Sequence, residues 1–135
     1  MNKEPCKVLV FDEDRDNTDT TVTLLQVWGH EAEPAYSAED AISKAPTFDP
    51  DVILIDLGRP ILNGIDLAHE LRRCCPEAKL VAVTAFTAAD IVRRTRAAGF
   101  DKVLLKPAPA ARLQEAVEST CALKTEAAKN AERAT

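Results

Sequence analysis

Residues 50–67 read PDVILIDLGRPILNGIDL and carry the clearest structural signal in the chain. The run from Asp51 to Ile55 is rich in Val, Ile and Leu and does not alternate with polar residues. Such a run is typical of a strand that is covered on both faces, as in a parallel sheet. Asp56 follows directly, and apolar side chains then recur at helical spacing, at Ile65, Ala68 and Leu71. The stretch therefore predicts a buried strand, an acidic residue at its end and then a helix.

Further apolar runs of the same type occur along the chain, at Lys7–Phe11, Leu80–Val83 and Val103–Leu105. They also predict strands with both faces covered. A weaker candidate, residues 30–36, alternates faintly and contains Pro34. Because proline cannot donate a hydrogen bond to a neighbouring strand, this segment is expected at an edge of the sheet.

Segments with helical periodicity separate the predicted strands and continue after the last one. Each is bounded by a residue that is typical of a helix end. These boundary residues are Gly29, Ser37, Pro76, Gly99 and Pro109. Gly64, after Asn63, is interpreted as part of a turn with positive φ before the third helix. Strand and helix thus alternate, which predicts an α/β fold: an open, doubly wound parallel sheet with helices on both faces.

The composition fits one globular domain. The chain has 135 residues, 46% of them apolar, and a net charge of -5. This apolar share is enough for one core and excludes a wholly disordered chain. The acidic balance disfavours direct nucleic-acid binding, and no apolar run approaches the ~18 residues of a membrane span. With no secretory signal before the first strand, we expect a cytoplasmic protein that does not insert into a membrane.

The cysteines and histidines are expected to be structural. The chain contains four cysteines, and no two of them form a C-x-x-C pair. Since nothing indicates a secreted protein, no disulfide framework is predicted. The adjacent Cys74 and Cys75 are interpreted as small residues that close a helix. Zinc is excluded because His30 and His69 have no useful spacing to the cysteines, and both histidines are expected at the surface.

Residues capable of phosphoryl chemistry follow the predicted strands. Asp12 and Glu13 come after the first strand, Asp56 after the third, Thr84 after the fourth and Lys106 after the fifth. Ligands of doubly wound folds bind at these carboxyl ends, so the side chains are expected to converge. Close carboxylates repel one another and favour a bound cation, and oxygen-only ligands select Mg²⁺. A carboxylate nucleophile, a metal, a hydroxyl and a lysine together form a set that handles phosphoryl groups.

At this point the sequence resembles a known family, the receiver domains of two-component response regulators, within the CheY-like superfamily. The resemblance rests on the order of these motifs: VLVFDEDRDN (8–17), PDVILIDLGRPILNGIDL (50–67), AVTAFT (82–87) and AAGFDKVLLKP (97–107). It implies a flavodoxin-like (βα)5 fold with strand order 2-1-3-4-5. It also implies a receiver domain over residues 1–123, which leaves 124–135 as a helical extension or a disordered tail.

The resemblance implies a role for each residue at the strand ends. Asp56 would be the phosphoacceptor, Thr84 the switch hydroxyl and Lys106 the contact to the phosphoryl group. The Mg²⁺ ligands would be Asp12, Glu13, Asp56 and the backbone carbonyl of Gly58. The bond between Lys106 and Pro107 is expected to be cis, as is usual in this family.

The implied function is a switch that is activated by phosphorylation, and not a turnover enzyme. A sensor histidine kinase or a histidine phosphotransfer protein would donate the phosphoryl group from a phosphohistidine. The receiver would then change the surface that it offers to a downstream protein partner. Because Met1 lies close to the first strand, we expect a stand-alone receiver without an output domain.

Some positions depart from the family pattern. Glu13 replaces the commoner aspartate, and Val103 occupies the position of the switch aromatic. Gly58 and Phe86 lie at the two positions that tune phosphoryl lifetime in receivers. A valine cannot swing like an aromatic ring, which leaves open a phosphorylation-independent interaction module or a phosphate sink. A related phosphatase is disfavoured, since Gly58 stands where such enzymes carry a second aspartate.

Overall fold

The computed structural model describes residues 5–58, 61–85 and 89–133, with the backbone alone for 61–62 and 122–133. The strands are β1 (Lys7–Phe11), β2 (Glu31–Ala35), β3 (Val52–Leu57), β4 (Lys79–Thr84) and β5 (Lys102–Leu105). The helices are α1 (Arg15–Val27), α2 (Ala38–Phe48), α3 (Ile61–Cys74), α4 (Ala89–Ala97) and α5 (Ala110–Arg133). Among the helices in these ranges, none has the length and apolar composition needed to cross a bilayer.

The strands form one parallel sheet in the order β2-β1-β3-β4-β5. The predicted α/β doubly wound fold and its strand order are therefore confirmed. Strand β2 lies at the edge, where Pro34 pairs with Val10 and needs no second neighbour. The carboxyl ends of β1, β3, β4 and β5 consequently meet along one side of the sheet.

Each face of the sheet is covered by its own apolar layer. Leu9 and Ile53 point into a cluster with the buried faces of α2 and α3. Val8 and Leu54, their neighbours along the strands, point into a second cluster with α1 and α5. Side chains alternate between the two faces of a strand. A strand that is covered on both faces must therefore be apolar at every position. This explains why the strands read as continuous runs of Val, Ile and Leu.

The interpretation of Gly64 as a turn residue is wrong, because Gly64 lies inside α3. A Cβ atom there would lie 2.3 Å from Cδ2 of Leu57, so glycine allows the close approach of α3 to β3. The glycines with positive φ are Gly29 and Gly99, at 92° and 101°, which follow α1 and α4. These two were the predicted helix stops, and only glycine adopts such angles readily.

The expectations of no disulfide and of surface histidines need correction. Cys6, just before β1, forms a disulfide with Cys121 of α5, across a sequence separation of 115. His30 is buried, although His69 is exposed as expected. The Nδ1 atom of His30 accepts a hydrogen bond from the Cys6 N–H group at 3.1 Å, and its Nε2 atom lies 3.1 Å from Oε2 of Glu118. The fold creates these contacts between segments that are remote in sequence.

Arg72 of α3 connects three segments on one side of the sheet. Its guanidinium donates hydrogen bonds to the backbone carbonyls of Ala78 at 2.9 Å and Gly99 at 2.6 Å. It also lies 3.4 Å from the Asp101 carboxylate, which accepts the N–H of Leu80 at 2.8 Å. The guanidinium therefore joins the end of α3 to the loops that lead into β4 and β5.

We predict that Arg72→Ala lowers the free energy of unfolding by about 1–3 kcal/mol, because it removes several hydrogen bonds to a charged group. The matched control is Arg73→Ala. Arg73 is 76% exposed and pairs with Glu70 across one helical turn, so its loss should change stability by less than about 0.5 kcal/mol. Urea denaturation of the three proteins measures the difference, and equal stabilities of the two variants would contradict this account of Arg72.

Candidate functional site

The segment after β1 fixes one acidic residue at the carboxyl edge of the sheet. Asp14 is the N-cap of α1, and its carboxylate accepts the N–H of Asn17 at 3.2 Å. The N–H of Asp14 in turn donates to Oδ1 of Asp12 at 2.9 Å. The buried hydroxyl of Thr18 donates to the backbone carbonyl of Asp12 at 2.8 Å. Sequence reasoning assigned no role to Asp14 or Thr18, although an aspartate before a helix is a recognisable cap signal.

Asp56 lies near the end of the central strand β3, and its side chain is 16% exposed. Its carboxylate forms an ion pair with the Lys106 ammonium, and the Asp12 carboxyl group is close enough to influence its pKa. Burial, and then the negative charge of Asp12, raise the pKa of Asp56, while the contact with Lys106 opposes this rise. The structure thus brings together three of the predicted site residues.

Lys106 is held by the backbone at the end of β5. Its N–H donates to the carbonyl of Thr84 at 2.8 Å, so the lysine is tied to the last residue of β4. The bond to Pro107 is cis, as expected. Thr84 itself is 1% exposed and pairs in register with Leu57, one position beyond Asp56. The threonine lies at the predicted edge, with its side chain buried.

Two cavities flank Asp56. The larger, about 610 Å³, is lined by Asp12 and Lys106 together with residues of α1 and the start of α5. The smaller, about 300 Å³, is lined by Glu13, Gly58 and acidic residues of α3. Glu13 and Gly58 therefore lie on the other side of Asp56 from Lys106.

The acidic residues of α3 in the smaller cavity are Asp66 and Glu70. They were not among the site residues predicted from the sequence. Their i, i+4 spacing puts them on one face of a helix, and this was the signal that could have found them. Phe86, which was considered for phosphoryl lifetime, lies outside the described residues.

The residue types around Asp56 suit a magnesium ion, but the expected convergence is only partial: the carboxylates of Asp12, Glu13 and Asp56 do not form one cluster of ligand atoms, because Asp12 and Glu13 line different cavities. The side chains of Asp12, Glu13 and Asp56 and the carbonyl of Gly58 offer oxygen atoms alone, which are the ligands that Mg²⁺ prefers. Burial is the main reason that the pKa of Asp56 is raised, and the negative charge of Asp12 adds to the rise, while the contact with Lys106 opposes it. A divalent cation would relieve the repulsion between the two carboxylates.

A doubly wound domain with an aspartate on its central strand, an adjacent acidic residue and an opposing lysine has the makeup of a phosphoryl-accepting receiver. The chain matches the family model for the response regulator receiver domain over residues 8–118. It therefore belongs to the receiver domain family of two-component signalling. Receiver domains generally bind Mg²⁺ at the phosphorylation site and interact with histidine kinases or phosphotransfer proteins.

Curated relatives contain this domain within longer chains. A response regulator receiver protein of Anaeromyxobacter sp. (strain Fw109-5) is 32% identical over 107 residues, which cover 79% of this chain and 45% of that protein. The transcriptional regulatory protein ZraR of Salmonella typhimurium is 30% identical over 115 residues, covering 85% of this chain and 26% of that protein. The chain thus spans less than half the length of these relatives.

Solved structures agree with the fold. A CheY-like receiver domain protein from Methanospirillum hungatei superposes with a TM-score of 0.82 at 23% identity, covering 91% of this chain and 98% of that one. The chemotaxis protein CheY4 of Vibrio cholerae gives 0.78 at 24% identity, covering 87% and 99%. At these identities the comparison supports the fold alone.

We predict that Asp56→Asn raises the unfolding temperature of the metal-free protein at pH 7.5. A raised pKa in the folded state means that protonated Asp56 favours folding at low pH, and that this contribution is lost as the pH rises through the folded pKa. The neutral amide removes the penalty of the buried charge at pH 7.5. The gain should shrink as the pH falls toward the ordinary value of 3.8.

Thermal unfolding across this pH range, without divalent metal, measures the effect. Glu33→Gln is the matched control, because it removes one charge from an exposed position on the edge strand β2. A variant that gains no more at pH 7.5 than at low pH would show that the charge of Asp56 carries no such penalty.

Proposed function

We propose that this receiver is a phosphorylation-activated switch, in which Asp56 accepts a phosphoryl group from a phosphohistidine with Mg²⁺ as cofactor. The observation that carries the proposal is the grouping of Asp56, Asp12 and Lys106 at the end of the central strand. Asp56 is also accessible, since it lines both cavities at this edge. A sensor histidine kinase or a histidine phosphotransfer protein is the proposed donor.

In the proposed transfer, a carboxylate oxygen of Asp56 attacks phosphorus and the P–N bond of the phosphohistidine breaks. The bonding electron pair stays with the imidazole nitrogen, and Asp56 becomes an acyl phosphate. Lys106, already paired with Asp56, would neutralise charge on the phosphoryl oxygens. Bound Mg²⁺ would supply further charge neutralisation, held by Asp12, Glu13, Asp56 and the carbonyl of Gly58.

Phosphorylation changes the partners of Lys106 and Thr84. Lys106 would exchange a carboxylate for a phosphoryl group, and its backbone is bonded to Thr84 at the end of β4. The buried Thr84 hydroxyl would turn toward the new phosphoryl oxygens, which moves the end of β4. We propose that the loops after β3 and β4 change in this way and alter the surface offered to a downstream protein.

Val103 favours a second candidate, a module that binds its partner regardless of phosphorylation. This side chain is partly buried and packs against the apolar cluster beside α2 and α3. A valine in such a place is too short to move between a buried and an exposed position, as the aromatic ring of the family pattern does. Any switch in this protein would therefore depend on Thr84 and the end of β4. A phosphate sink would use Asp56 as the phosphoacceptor and would need no such switch.

The remaining parts of the proposal follow from the same chemistry. The protein would catalyse its own phosphorylation and dephosphorylation and would not be a turnover enzyme. The proposed phosphohistidine donor takes its phosphoryl group from ATP, so we expect the protein to work in the cytoplasm. The proposal concerns the receiver region and holds whether that region acts alone or within a longer chain.

Hydrogen exchange with and without phosphorylation tests the switch. The protein is incubated with Mg²⁺ and phosphoramidate, a small donor with a P–N bond, and peptides of β4 and α4 are followed by mass spectrometry. We predict changed exchange in both elements for the parent protein and no change for Asp56→Asn. Phosphorylation is quantified in the same samples.

The controls separate the competing functions. Glu33→Gln, which removes an exposed charge from the edge strand β2, should behave like the parent protein. Phosphorylation on Asp56 without changed exchange would contradict the switch and favour a sink. Absence of phosphorylation in the parent protein would overturn the proposal in favour of the constitutive module.

A further inference from the structure

The edge of the sheet opposite the phosphorylation site contains a second group of reactive side chains. Cys6 is fully buried before β1 and is bonded to Cys121, which is partly exposed on α5. The two sulfur atoms and a carboxylate oxygen of Asp51 lie within 4.8 Å of one another. This carboxylate is held by the N–H of Lys7 at 2.9 Å. Nothing in the phosphoryl chemistry uses this group.

The disulfide lies where α5 is fastened to the body of the domain. The buried residues of α5 just before it are Ala116, Val117 and Thr120. Cys121 packs against the apolar cluster that contains Ala116 and Val117. Beyond it the sequence is KTEAAKNAER over 124–133, which is charged and lacks a strong apolar stripe. Among the described side chains of α5, that of Cys121 is therefore the last one that attaches the helix to the rest of the domain. The helix itself continues to Arg133.

We propose that Cys6 and Cys121 form a reversible thiol–disulfide site that controls how firmly α5 is held to the sheet. The compartment argument rests on the proposed function: a receiver fed by a histidine kinase works where low-molecular thiols are reducing. In such a compartment, disulfides are usually transient and redox-sensing. The proposed reaction partner is the class of small thiols and their disulfides, represented by glutathione.

Cys121 keeps some exposed surface, whereas Cys6 has none. Both sulfur atoms lie in the buried part of the group, so exchange at Cys121 requires a local opening of α5. A glutathione thiolate attacks the sulfur of Cys121, the S–S bond breaks and Cys6 leaves as a thiolate that takes a proton from water. A second glutathione thiolate attacks the glutathione sulfur of the mixed disulfide, which releases glutathione disulfide and leaves Cys121 as a thiolate that takes a proton from water. The reverse sequence, with glutathione disulfide as oxidant, forms the bridge. Because both sulfur atoms are buried, reduction is expected to be slow.

A parallel contact keeps the reduced state folded. His30 accepts the N–H of Cys6 and lies 3.1 Å from Glu118, which belongs to α5. Gln114 of the same helix also donates to Glu118, at 3.2 Å. The segment before β1 thus remains connected to α5 when the sulfur bond is broken. Reduction should loosen the helix without unfolding the domain.

The start of α5 connects this device to the phosphorylation site. Leu113, in the first turn of the helix, lines the larger cavity together with Asp56 and Lys106. A helix that is released at Cys121 is free to shift at this wall as well. The redox state of the pair would therefore alter the surroundings of the phosphoryl group from the far end of α5.

A thiol titration of the full chain tests the site directly. The protein is equilibrated in buffers with increasing ratios of reduced to oxidised glutathione, alkylated and weighed. We expect two alkylated cysteines, Cys74 and Cys75, under oxidising conditions and all four under reducing conditions. We also expect the unfolding temperature to fall by about 10 °C on reduction, with faster hydrogen exchange in α5.

Matched variants assign the response. Cys74→Ser should keep the transition, while Cys121→Ser should lose it and resemble the reduced protein. The transition should also persist in Asp56→Asn, so a failure of phosphorylation cannot be confused with a failure here. Because reduction of the parent protein gives the same comparison, the test does not depend on the folding of a variant.

Several results would overturn the proposal. Four reactive thiols at every ratio would mean that no bridge forms. A bridge that survives millimolar reduced glutathione would make it a permanent structural link. Uptake of one Zn²⁺ by the reduced protein, lost in Cys121→Ser, would instead make the pair a metal site with Asp51.

Discussion

The chemistry of the carboxyl edge depends on one electrostatic arrangement, the half-buried ion pair of Asp56 with Lys106 beside the negative charge of Asp12. Burial raises the pKa of Asp56, and the negative charge of Asp12 raises it further, against the opposing contact with Lys106. The parallel sheet makes the arrangement possible, because β1, β3 and β5 deliver these residues to one edge. A site with uncompensated charge is suited to a cation and to a transferred phosphoryl group.

Much of the fold was predictable because burial restricts the residue types that can occur along a strand. A strand covered on both faces must be apolar throughout, and Pro34 can occupy only an edge strand of such a sheet. The grouping of Asp12, Asp56 and Lys106 followed from the rule that parallel strands present their ends together. The division of the predicted site residues between two cavities was not predictable. Asp12 and Lys106 line the larger cavity, whereas Glu13 and Gly58 line the smaller one.

Other features could not be predicted because they depend on contacts between distant segments. The bond between Cys6 and Cys121 spans 115 positions, and His30 is buried through its contact with Glu118, 88 positions away. Gly64 was misread because its neighbour Asn63 suggests a turn, whereas the reason for the glycine is the side chain of Leu57. Local propensity cannot reveal a contact that only tertiary packing creates.

The most direct measurement of the central claim is the intact mass after incubation with acetyl phosphate and Mg²⁺. The account predicts a gain of about 80 Da, one phosphoryl group, in the parent protein and in Glu33→Gln, which loses an exposed charge on β2. It predicts no gain in Asp56→Asn, and none in the parent protein when Mg²⁺ is chelated. An equal gain in Asp56→Asn, or a gain that is independent of Mg²⁺, would contradict the assignment of Asp56 and its acidic neighbours as the phosphorylation site.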